Sequence, residues 1–203
     1  MKKLVEEIPD YINNLLNTEL SPLFFYHNLQ HTKDVVKSAT LIADHYHLSE
    51  DEKELLLISA WFHDTGYIKS VENHEEQSVQ IMKNYLEDKN YPAGRIKIIS
   101  EIILATKIPQ NPQNILEEIL CDADIAYIGS DILLEKISLL RREWENSIPR
   151  NFTDSEWIGQ NINFIEANPF HTDFAVEKFS SGRMNNLKNL RQIAADINNN
   201  KRL

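Results

Sequence analysis

Glycine is scarce in this chain and cysteine nearly absent: 203 residues contain 5 glycines and a single cysteine, Cys121. One cysteine excludes an internal disulfide framework, which makes a cytoplasmic protein the default expectation. Long apolar runs are missing too. The longest, such as LLLI at 55–58, fall far short of the roughly 20 residues needed to cross a bilayer, so no membrane partner is expected. The opening segment, MKKLVEEIPDYINN, acquires acidic residues and a proline where a signal peptide needs its apolar stretch. Positive charge is also in short supply. With 21 basic against 31 acidic residues the net charge is −10, which argues against a nucleic-acid polymer as partner, since that contact needs a basic face. A small anionic ligand is not excluded, because a metal ion and a few lysines can reverse the potential locally.

Helical periodicity is present instead. Val35, Val36, Ala39, Ile42, Ala43 and Tyr46 recur at helical intervals over 31–47. Ser49 followed three residues later by Glu52 forms a capping box that opens a helix through LLLISAWF, and Thr65-Gly66 is read as its end, with the glycine in left-handed geometry. Further helices fit His74–Leu86, Gly94–Thr106, Ile115–Ile128 and a leucine-rich stretch from Ser130, read as its cap, through Trp144. A second capping box, Thr153 to Glu156, starts a helix through Ala167. The last helix, Thr172–Ile197, is interrupted in this reading by Ser-Ser-Gly at 180–182, and the tail NNNKRL reads as frayed. The expected fold is all-α, a single domain over residues 1–203. Its core spans about 20–145, with a C-terminal helical extension over about 150–203 beyond a seam at NSIPRN (146–151).

Several side chains in this scaffold can carry chemistry. YHNLQHT at 26–32 sets His27 and His31 four positions apart, a spacing that metal ligands and ordinary helix residues share. His63-Asp64 ends the apolar stretch AWFHDTGY, and CDADIAYIG places Asp122 and Asp124 in another apolar segment. Burying a carboxylate costs several kcal/mol unless a cation or donors compensate. A divalent metal provides that compensation, and imidazole with carboxylate suits a transition ion better than calcium.

Taken in order, His31, then His63-Asp64, then Asp124 resemble the H…HD…D signature of the HD superfamily of metal-dependent phosphohydrolases over roughly residues 20–145. YHNLQHTKDV at 26–35 is similar to the YHNxxHxxDV stretch of cyclic-nucleotide phosphodiesterases. ILATKIP at 103–109 resembles their LATD segment, with Lys107 where they carry an acid, and CDADIAYIG resembles the DAD motif of bacterial members. The resemblance implies that His31, His63, Asp64 and Asp124 hold a divalent ion (Mn, Fe, Co, Ni, Zn or Mg). It implies that Asp64 also touches the attacking water, and that His27 protonates the leaving oxygen. His74 is implied to meet the substrate phosphate or a second metal, and Asp122 to accept a hydrogen bond that orients a ligand histidine. Lys69 is added as a phosphate-holding candidate because it follows the HD turn closely. Dinuclear members usually carry another histidine where this chain has Ala105 and Thr106, so one firmly held ion is expected, with a second at most weakly bound.

The implied activity is hydrolysis of a phosphate ester or phosphodiester of a small phosphorylated compound, a nucleotide by preference, through a metal-activated water. Two alternatives come from other classes: a non-catalytic nucleotide sensor on the same scaffold, and a di-iron oxygenase, against which the missing histidine near Thr106 speaks. The leucine-rich 130–145 helix and the C-terminal helices offer surfaces through which a homo-oligomer could form.

Overall fold

The structure, a computed structural model, describes residues 2–147 and 150–200. Among these it is helical, with no strand: α1 (Lys2–Glu19), α2 (Leu29–His45), α3 (Glu50–Phe62), α4 (His74–Asp88), α5 (Ala93–Leu104), α6 (Ile115–Ile125), α7 (Leu133–Ser147), α8 (Asp154–Ala167) and α9 (Asp173–Asn200). Short 3-10 turns follow α3 at Thr65–Ile68 and α6 at Ala126–Gly129. The all-α expectation holds. The chain falls into two compact units, residues 1–124 and 125–203. Of the seam read at 146–151, Ile148 and Pro149 lie outside the described residues, as do residues 201–203 of the tail.

The first unit is organised around α3. Its sequence is apolar on most sides, and Leu55, Leu56, Ile58, Ala60 and Phe62 are all buried, which makes it a central helix rather than a surface one. Helices α1, α2 and α5 pack against it. Its start is fixed by the expected capping box: Ser49 Oγ accepts from the Glu52 amide at 3.3 Å, and Glu52 Oε2 accepts from the Ser49 amide at 2.9 Å. Helix α1 contributes Ile8, Ile12, Leu15 and Leu16 to this core despite Pro9 inside it.

At the far end of α3 the structure corrects the role read for Gly66. No glycine among the described residues has a positive φ. Gly66 lies inside the Thr65–Ile68 turn, where the constraint is proximity: a Cβ there would stand 1.9 Å from the His74 carbonyl oxygen. The missing side chain lets the turn press against the start of α4, and the Gly66 amide donates to Ser78 Oγ across 2.8 Å.

The second unit packs α7, α8 and α9 around Ile128, Leu133, Ile137, Ile165, Leu187 and Leu190. Two readings are corrected here. Helix α9 runs unbroken through Ser-Ser-Gly, because Gly182 is where the Gly129 carbonyl comes close: a Cβ on Gly182 would lie 1.9 Å from that oxygen. Ser130 closes the Ala126–Gly129 turn, its hydroxyl donating to the Tyr127 carbonyl at 2.8 Å, and α7 begins only at Leu133.

Candidate metal centre

Three segments of the first unit deliver polar side chains to one buried point. The first is the start of α2. Asn28 is its N-cap: Oδ1 accepts from the amides of Gln30 (2.9 Å) and His31 (3.4 Å), while Nδ2 donates to the Phe25 carbonyl at 2.8 Å. One asparagine thus starts the helix and ties down the preceding loop. This places His31 in the first helical turn and His27 in the bend before it, so the two histidines do not share a helix face. The second segment is the end of α3, which carries His63 and Asp64 out of the apolar core at 0% and 9% exposure. The third is α6, which presents Asp124 near its end.

His31 Nε2 lies 3.2 Å from Asp64 Oδ2 and 3.2 Å from Asp124 Oδ1. His63 Nε2 lies 3.3 and 3.6 Å from the same two oxygens. His31, His63 and Asp124 form a set whose candidate ligand atoms all stand within 4.8 Å of one another. His31 Nε2, His63 Nε2 and Asp64 Oδ2 are shielded from solvent, yet none has a hydrogen-bond partner. Leaving such atoms buried and unmatched costs about 1–3 kcal/mol each. The atoms face a common centre instead of pairing. Donors about 2.0–2.2 Å from one ion stand about 3–3.5 Å from each other, close to the His–Asp separations of 3.2 to 3.6 Å. The residues therefore fit a divalent ion.

The tautomer of His63 agrees. Its Nδ1 lies 2.8 Å from the Ala60 carbonyl oxygen, which can only accept, so Nδ1 carries the proton and the neutral ring turns its Nε2 lone pair to the centre. Electrostatics show what the chain does by itself. Burial disfavours charge on both rings, but contacts with Asp124 and Asp64 raise the His31 pKa, and the Asp64 charge with contacts to both carboxylates raises that of His63 well above the ordinary imidazole value. Against the same burial, His63 holds Asp64 well below the carboxylate range, and His31 with His63 lowers Asp124. Without an ion, protons on the imidazoles balance the carboxylates; a divalent cation would replace them.

A second layer borders Asp64. His74, the first residue of α4, has Nδ1 at 3.1 Å from the Val71 carbonyl oxygen, and its Nε2 is 3.6 Å from Asp64 Oδ1 and 3.5 Å from Glu75 Oε1. Glu75 is itself buried. Tyr67 lies beside His27 and His74, with ring centroids 4.2 and 4.1 Å away and planes tilted by only 18° and 23°. Its hydroxyl is 3.2 Å from His27 Nε2.

Not every candidate joins this group. The Lys69 ammonium faces Glu19 at 3.7 Å and is largely exposed. Asp122 is fully buried, two residues before Asp124 on α6. Lys107 reaches Glu76 at 2.5 Å and Asn73 at 3.4 Å, bracing the turn before α4, where Asn73 holds a left-handed φ of 56°. Thr106 is buried and donates to the Ile103 carbonyl at 2.8 Å, so this segment adds no metal ligand. Cys121 donates to the Ala105 carbonyl, and burial pushes its thiol pKa up, the opposite of a reactive cysteine. From sequence Tyr67 reads as core packing or as a pocket ring that stacks a base, while Glu75 and Asn28 carry no assignment there.

Three comparisons bear on this arrangement. The HD domain family matches residues 28–126, which contain His31, His63, Asp64 and Asp124. A crystal structure of a Lactobacillus plantarum protein superimposes with a TM-score of 0.72 over 98% of both chains at 16% identity, a likeness of fold. No curated protein matches the chain.

Proposed function

Because residues 28–126 place this chain in the HD domain family, we propose that it is a metal-dependent phosphohydrolase acting on a small phosphorylated compound, with a nucleotide as the preferred class. The observation that carries this reading is the convergence of His31 Nε2, His63 Nε2 and Asp64 Oδ2, water-shielded and without hydrogen bonds, on one point beside Asp124.

In this reading His31, His63, Asp64 and Asp124 hold a divalent ion. Bound there, such an ion would supply Lewis acidity, lowering the pKa of a nearby water from ~15.7 toward ~7 and polarising a phosphoryl oxygen. Two of the four ligands would be neutral imidazoles, so only Asp64 and Asp124 would offset the ion's charge. Asp64, with Oδ2 facing His31 and Oδ1 facing His74, would accept a hydrogen bond from the attacking water. His74, held through Nδ1 by the Val71 carbonyl, directs Nε2 to the same region and can bind a phosphate oxygen. His27 lies across Tyr67 from His74 and supplies the proton to the leaving oxygen, a role worth about 10²–10⁴ in rate. Glu75 and Asp64 beside His74 give a second, weaker ion a place to bind.

The test is a hydrolysis panel of nucleoside monophosphates, nucleoside triphosphates, cyclic nucleotides and aryl phosphate esters with Mn, Co, Ni and Mg. Turnover by the wild type and loss on the order of a thousandfold in His63→Ala and Asp64→Ala supports the proposal. Equal turnover in wild type and both variants contradicts it.

A further inference from the structure

His27 has no helix to hold it. It lies in the bend between α1 and α2, and Asn28 anchors only the backbone next to it. Its ring is nevertheless enclosed by aromatic neighbours. Tyr67 stacks along one face with centroids 4.2 Å apart, and Tyr26 meets it edge-on at 4.7 Å. Tyr67 also lies against His74, which comes from the separate segment that opens α4. One side chain thus contacts both imidazoles flanking Asp64.

Tyr67 is well fixed for such a task. It is buried, its amide donates to the Asp64 carbonyl at 3.2 Å, and Phe24 packs edge-on against its ring at 5.4 Å. The turn that carries it is pinned to α4 through Gly66 and Ser78. Its hydroxyl contact to His27 Nε2, at 3.2 Å, is long for a hydroxyl donor, whereas the near-parallel ring overlap is close.

We infer that Tyr67 is a positioning residue: its ring, more than its hydroxyl, holds the His27 imidazole at the working angle beside Asp64 while resting against His74. This rests on the phosphohydrolase reading for its kinetic consequences, though not for its geometry. Misplacing a catalytic group by about 1 Å costs about a hundredfold in rate, so the effect of losing this ring is measurable.

The experiment uses the full chain with its metal and two substrates that share a phosphate but differ in leaving group, an alkyl ester and a p-nitrophenyl ester. A proton donor matters for the alkoxide and little for p-nitrophenolate. Tyr67→Leu is expected to lose on the order of a hundredfold in kcat on the alkyl ester and less than about fivefold on the aryl ester. Tyr67→Phe, which keeps the ring, is expected to stay within about fivefold of wild type on both. Because Tyr67 acts on leaving-group protonation through His27, the double variant Tyr67→Leu/His27→Ala should be no slower on the alkyl ester than His27→Ala alone. Equal losses on both esters, losses that multiply in the double variant, or a Tyr67→Phe as slow as Tyr67→Leu would overturn the inference. A second readout needs no turnover: the ring protons of His27, shifted upfield over the Tyr67 ring in NMR spectra, should keep that shift in Tyr67→Phe and lose it in Tyr67→Leu. An inactive wild type overturns the proposed reaction; His27 shifts that do not move in Tyr67→Leu overturn the role of Tyr67.

Discussion

His31 Nε2 lies 3.2 Å from Asp124 Oδ1, shielded from water, and makes no hydrogen bond there. The two atoms share a target without pairing, and His63 and Asp64 aim at the same place. In the metal-free chain these groups stabilise one another only while the imidazoles keep their protons. A divalent cation at the centre would replace those protons and add a gain of its own.

The size of that gain is measurable as thermal stability. Adding a bound ion at 100 times its Kd stabilises the folded chain by about 2.7 kcal/mol. Mn, Co or Zn should therefore raise the melting temperature of the wild type by several degrees, while Asp124→Ala should show a much smaller shift. Differential scanning calorimetry with and without chelator measures both.

The pH dependence has a definite sign. In the metal-free chain the His31 and His63 pKa values lie above the ordinary 6.5, so the stability they contribute is fully present below pH 6.5 and is lost as pH rises through the raised values. Asp64 and Asp124 lie below the ordinary 3.8, so their share is present above that pH and lost as pH falls through the lowered values. These are two views of the same contacts and are not added together. A metal must displace the imidazole protons, so its affinity falls with decreasing pH. The melting temperature of the metal-free protein should decline from pH 6.5 upward, while the increment given by metal grows over the same range.

Gly66→Ala tests how closely the HD turn must meet α4. The new Cβ would stand 1.9 Å from a backbone oxygen, which no side-chain rotation relieves. Overpacking of this kind costs about 1–3 kcal/mol, and here it also pushes His74 away from Asp64. Chemical denaturation should show the destabilisation, and phosphate-ester turnover should fall with it.

Asn28→Ala removes the cap of α2 and the tie to Phe25 together. The expected loss is about 1 kcal/mol of stability, within the usual range for a missing N-cap. Because Asn28 sits between His27 and the α2 turn that presents His31, metal affinity should also weaken, read by titration calorimetry. An Asn28→Asp variant keeps the accepting oxygen and should retain most of the cap.

Much of the fold was legible because the helices advertise themselves locally. Both capping boxes, at Ser49 and Thr153, appear where the side-chain pattern puts them. What was not legible depends on distant partners. Gly182 reads as a helix breaker until Gly129 is seen pressing against it, and Gly66 reads as a left-handed cap until the His74 carbonyl is seen beside it. Helix α1 hides behind Pro9, although Ile8, Ile12, Leu15 and Leu16 line its buried face. The site divides the same way. The ordered histidines and aspartates stand out because charged groups in apolar segments need an explanation. Tyr67 stands out less, because an aromatic next to an apolar helix resembles core, and its neighbours His27 and His74 lie on opposite sides of it in sequence. Lys69 rests on closeness to the HD turn along the chain alone, and its exposed ammonium faces Glu19 at 3.7 Å.

The most direct test of the account is metal stoichiometry. After reconstitution with Mn or Co and removal of free ion, elemental analysis of the full chain should give about one tightly held ion per wild-type molecule and close to none for His63→Ala, with both proteins folded by circular dichroism. Equal metal in the two proteins, or none in the wild type under any of these ions, would contradict the claim that these buried side chains meet around a cation.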